Sequence, residues 1–191
     1  IEGVVEQTRS LVQGIQNTGI KRLLENALSM DSVSANFWTC QASLKDHHCY
    51  AGGLAEHSLE VATMIASSNL EIEYKDIGIA FALLHDIGKI YSYAHGTLTE
   101  YAREVGHERI GYQFLDTFIT ELEQEDAQTG HTIRELLNGD WKRTTKDRRP
   151  LAIGRVVNAF DQLSCERNLQ KPIKNPPANS FHRDDLAFFE P

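Results

Sequence analysis

The feature that most constrains this chain is the apolar run over residues 77–84 (IGIAFALL), which ends directly on His85-Asp86. Asp76 is a suitable N-cap and Gly88 a suitable stop for a helix over 77–86. An ionised carboxylate at the end of so apolar a helix is costly unless a cation or several hydrogen bonds meet it. Asp161 poses the same difficulty, following Val156, Val157, Ala159 and Phe160. His57, in GGLAEHSLEVA, lies on another helical pattern. Neutral nitrogen and anionic oxygen are the donors that hold a divalent ion able to activate water. His85 and Asp86 stand about 100° apart on an ideal helix, so they meet at one ion only if the helix ends or distorts there.

Apolar spacing of three and four residues recurs along the chain and reads as helix at 4–15, 20–28, 54–66, 106–123 and 132–138. Pro150 suits the first position of a helix reaching about residue 168. Residues 91–101 read as an irregular or extended excursion. KPIKNPPANS carries three prolines and reads as a loop or linker. The expected fold class is therefore all-α: a helical bundle with a Pro-rich, less regular C-terminal tail. The expected division is 1–45 as N-terminal helices packed on the core, 46–168 as the metal-binding domain and 169–191 as tail or linker. No internal repeat is present.

The apolar run is far shorter than the roughly 20 residues of a membrane helix, and no secretory signal opens the chain. Three cysteines without a CxxC spacing read as reduced thiols, which with the missing signal gives a cytoplasmic expectation and no membrane partner. A start at Ile1 reads as a domain of a longer chain, with further domains outside it. The formal charge of -8 argues against a generally basic nucleic-acid-binding surface. WKRTTKDRRP is the local exception. Its Lys142, Arg143, Arg148 and Arg149 are candidate substrate-binding residues for a polyanion.

Taken together, His57, His85-Asp86 and Asp161 resemble the signature of the HD superfamily of metal-dependent phosphohydrolases, over roughly residues 46–167, with ALLHDIGK as the most specific element. The resemblance implies an all-helical fold and an enzyme that cleaves phosphoesters. His57, His85, Asp86 and Asp161 would hold a first metal, and His107 and His131 a second bridged by Asp86. The cofactor would be one or two divalent ions (Mn, Fe, Mg, Ni or Co). The substrate would be a phosphorylated small molecule or a nucleic acid. QASLKDHHCYAGGLAEHSLEV also resembles two branches: the HD-domain 3′–5′ exoribonucleases and the helicase/relaxase domains of conjugative elements. It departs from the second at Gln41 and Cys49, and from the first in lacking a histidine pair near Leu137-Asn138.

Lys89 is a candidate for neutralising a phosphate in the transition state, and Arg109 a weaker one. His47 and His48 are candidates for protonating the leaving oxygen or holding a further ion. The alternatives are a relaxase-associated DNA-processing module and an HD-type di-iron oxygenase, whose His, His-Asp, His, His, Asp order is the same.

Overall fold

A computed structural model describes residues 2–94, 96–144 and 151–170. The fold is all-α. In chain order the helices are α1 (Glu2–Gly14), α2 (Thr18–Ser29), α3 (Asp31–Ser34), α4 (Gly53–Ala66) and α5 (Ile72–Leu84). They continue with α6 (Glu100–Val105), α7 (His107–Glu125), α8 (Ala127–Leu137) and α9 (Ala152–Gln170). Short 3₁₀ turns occupy Ile87–Tyr91 and Asp140–Lys142. The excursion expected at 91–101 contains a small antiparallel ribbon, β1 (Tyr93–Ala94) on β2 (Thr97–Leu98), with Tyr93 opposite Leu98.

Local chemistry sets several boundaries. Asn17, Thr99 and Asp126 each accept a hydrogen bond from a backbone N–H three residues ahead, opening α2, α6 and α8. Asp76 does not cap α5. It lies inside that helix, 3% exposed, and its Oδ2 accepts the N–H groups of Gln16 and Asn17 at 2.9 and 2.8 Å. Burial of this acid is thus offset by the donors of the α1–α2 turn, and the helix starts earlier, at Ile72.

One core joins Val5 and Val12 of α1 and Leu24 of α2 to Leu54 and Ile65 of α4, Leu83 of α5, Leu115 of α7, Ile133 of α8 and Val157 of α9. α4 is apolar on most of its circumference and runs through the centre, in contact with α1, α5 and α9. A helix buried on nearly all sides displays any polar side chain to the interior, and that places His57. No described helix is long and apolar enough to cross a membrane. Pro150, Lys146, Arg148, Arg149 and the proline-rich tail lie outside the described residues.

Candidate metal centre

α5 stops at Leu84, and the stop produces the chemistry. His85 keeps helical dihedrals (φ -56, ψ -33), whereas Asp86 turns to φ -107, ψ 6. That departure collapses the 100° separation of an ideal helix, and His85 Nε2 sits 3.4 Å from Asp86 Oδ2. α4 supplies His57, whose Nε2 lies 3.9 Å from the same oxygen. α9 supplies Asp161, with Oδ1 at 3.0 Å from His57 Nε2 and 3.8 Å from His85 Nε2.

Gly88 is not the stop of α5, which has already ended; it is a contact. A Cβ there would fall 1.9 Å from the His107 carbonyl oxygen and 2.5 Å from the Gly111 nitrogen. The 3₁₀ turn therefore lies backbone to backbone on the start of α7, and His107 Nε2 reaches Asp86 Oδ1 at 3.0 Å. The other Asp86 oxygen, Oδ2, accepts Lys89 Nζ at 2.5 Å. Lys89 is nearly buried, not a solvated residue at a helix end.

Both central imidazoles are held in one tautomer. His85 Nδ1 lies 2.9 Å from the Ala82 carbonyl oxygen, which can only accept, so Nδ1 carries the proton. The Ser164 hydroxyl donates to Glu60 Oε2 at 2.8 Å, so at 3.1 Å its oxygen accepts from His57 Nδ1. Each ring is left with an Nε2 lone pair aimed at the carboxylates. Both Nε2 atoms are buried without a partner in hydrogen-bond geometry; the 3.0 Å approach to Asp161 is close but misdirected for an N–H···O bond. Two buried lone pairs and two carboxylates facing one another suit a shared cation, and His57, His85 and Asp161 each place a donor atom within 4.8 Å of the others'.

The electrostatics agree. Burial opposes the charged form of Asp86, but His85, Lys89 and His107 outweigh it and hold its carboxyl well below the usual range. Asp161 is likewise lowered, burial being overcome by the close approach of the His57 and His85 imidazoles. His57 is lowered chiefly by burial and stays neutral. His85 is buried too, yet Asp86 and Asp161 outweigh that effect and raise it, so the pocket attracts a positive charge in some form.

The other sequence candidates divide. His107 joins the centre through Asp86. His131 does not: its ring is 70% exposed on α8, with Nε2 3.8 Å from Glu123 Oε1. Lys142 lines a small open cleft together with His85, Asp161, Glu108 and Trp141. Its Nζ bonds Glu108 at 3.2 Å. Arg143 points outward to Asp140, and Arg109 is exposed.

The His47 ring lies 5.1 Å from that of His57, centre to centre. Burial, then His57 and Lys89, push His47 down to about 4, so at neutral pH it is an acceptor or ligand and not an imidazolium acid. His48 is 0% exposed and out of reach of any substrate from solvent. Sequence reasoning missed Glu60 and Ser164. Each stands one helical turn from a candidate ligand, at i+3 of His57 and Asp161, and that spacing was the available signal.

Set beside known families, residues 54–165 match the HD domain, over more than half of the chain. The chain belongs to the HD domain family. This is generally a family of divalent-metal-dependent hydrolases, and the histidine and carboxylate groups described above could hold such an ion. No solved structure matches the chain.

Proposed function

We propose that this protein is a phosphohydrolase that cleaves a phosphoester of a nucleotide or nucleic acid. One observation supports this reading above the rest: the buried, tautomer-fixed Nε2 lone pairs of His57 and His85 face Asp86 and lie, with an Asp161 oxygen, within 4.8 Å of one another. In this reading His57, His85, Asp86 and Asp161 hold a divalent ion, and His107 is the ligand available to a second through Asp86. A bound ion there supplies an acidified water and polarises a phosphoryl oxygen. Lys89 fixes the Asp86 carboxylate and brings positive charge next to the reacting phosphate. Lys142, at the mouth of the cleft, meets the incoming polyanion. Arg143 and Arg109 extend the same role outward, and Arg148 and Arg149 are assigned it from the sequence alone.

The test is turnover of bis-p-nitrophenyl phosphate by manganese-loaded protein without oxygen. Hydrolysis that falls at least about 100-fold in Asp161→Ala supports the proposal. Oxygen-dependent turnover by an iron-loaded protein that leaves the phosphodiester intact would replace it with the oxygenase reading. Nicking confined to supercoiled plasmid would favour the relaxase-associated one.

A further inference from the structure

On the far side of Ser164 from this centre lies a second convergence of donors. Glu56 and Glu60 stand four residues apart on α4, so their side chains rise from one face of the helix. His48, from the preceding loop, is completely buried. Its Nε2 comes to 3.5 Å from Glu60 Oε2 without hydrogen-bond geometry and has no other partner. One donor atom from each of the three side chains lies within 4.8 Å of the other two.

His48 is placed with care. Its N–H donates to Asn168 Oδ1 at 2.6 Å, and its carbonyl oxygen accepts from Ala42 at 3.1 Å. That oxygen also abuts Gly53, where a Cβ would fall 2.1 Å away, so only glycine lets the loop come so close. The backbone of His48 takes a φ of 45, unfavourable for a non-glycine residue, while its ring points into the interior.

We infer that His48, Glu56 and Glu60 bind a divalent transition-metal ion of the zinc class, distinct from the ion at His57, His85, Asp86 and Asp161. Two carboxylates that converge on a sealed, unpartnered imidazole nitrogen offer anionic oxygens to such an ion. One nitrogen and two oxygens within 4.8 Å of one another form a set that zinc accepts. A histidine-only grouping of His47, His48 and His57 is excluded for this ion, because His57 Nδ1 is bonded to Ser164 and its Nε2 faces the first centre. The Tyr50 hydroxyl, hydrogen-bonded to Glu56 and raised by burial and by that acid, closes the side of the site with Asn168. The ion is structural and acts on the first centre through Glu60, Ser164 and His57. By fixing Glu60 it fixes the acceptor that sets the His57 tautomer.

The experiment vacates the first centre with the double substitution His85→Ala/Asp161→Ala and counts zinc per chain by elemental analysis after dialysis. One zinc per chain is expected, falling to none when Glu56→Gln and Glu60→Gln are added. A zinc-free double variant with native helix content overturns the inference, as does a count that the glutamate substitutions leave unchanged. If the double variant loses helix by circular dichroism, the Glu56→Gln substitution in the otherwise native chain decides. It must lower the count by one, and an unchanged count rejects the site. Phosphodiester turnover is not the readout, so failure here is separable from failure of the hydrolase reading.

Discussion

The centre between α4, α5 and α9 and the hairpin of α7 and α8 hold the same residue types to opposite effect. On the hairpin, Arg134 bonds both oxygens of Glu123 at 2.6 and 2.8 Å, and also Asp116, Thr120 and the Tyr112 hydroxyl. His131 stands at its edge, facing water. Each charge there has an opposite charge or solvent to answer it, and nothing further is needed. In the centre, His57 and His85 show lone pairs to carboxylates with no proton placed between them. Chemistry is indicated by incomplete satisfaction of buried groups, not by the presence of histidine and acid.

The contrast can be broken most severely at Gly88. Alanine there must separate the 3₁₀ turn from α7, an overpacking cost of about 3 kcal/mol, and must pull Asp86 from His107. Urea denaturation and metal titration should both register the change; unaltered stability would mean that the backbone contact is dispensable.

A finer comparison sets Ser164→Ala against His131→Gln. Loss of the serine leaves His57 Nδ1 without its acceptor and should weaken metal binding about 10- to 100-fold by isothermal titration. The His131 substitution should leave affinity and stoichiometry where they were. Equal effects from the two would dissolve the distinction between the regions.

The smallest effect belongs to Arg134→Gln. Hydrogen bonds from Arg134 hold Glu123 and Asp116 below their ordinary values; the Asp116 side chain is 53% exposed and that of Glu123 18%. The unfolded chain therefore takes up protons first on acidification. Stabilisation by the network is complete above the ordinary carboxylate range near pH 4 and is lost as pH falls through the folded-state values. The substitution should cost no more than about 1 kcal/mol at pH 7 after solvent screening, and its effect should vanish near pH 2. Thermal melts of both proteins across that range check this, and a penalty that grows in acid would contradict it.

Much of the centre was legible because burial makes acids conspicuous. Asp86 and Asp161 follow apolar helical strings, so the chain itself poses the question of what neutralises them. The bend required at His85-Asp86 was legible as a condition, but its cause was not. Gly88 reads in sequence as a helix stop, whereas its missing side chain is used against α7, a contact between segments with no local signature. His131 was drawn into the ligand set by its order along the chain. Gly130, Ile133 and Leu137 take the inward face of α8 and turn it away.

By itself the sequence determined the all-helical class, because periodicity acts within single segments, and its motifs carried the resemblance to the family and the four central candidate residues, two of them acids whose buried charge calls for a partner. Only the tertiary structure decided which rings have a fixed tautomer, which histidine leaves the site and that Glu60 and Ser164 stand behind His57. Those outcomes depend on the rotation and approach of helices about a hundred residues apart in the chain, and such packing has no periodic trace in either segment alone.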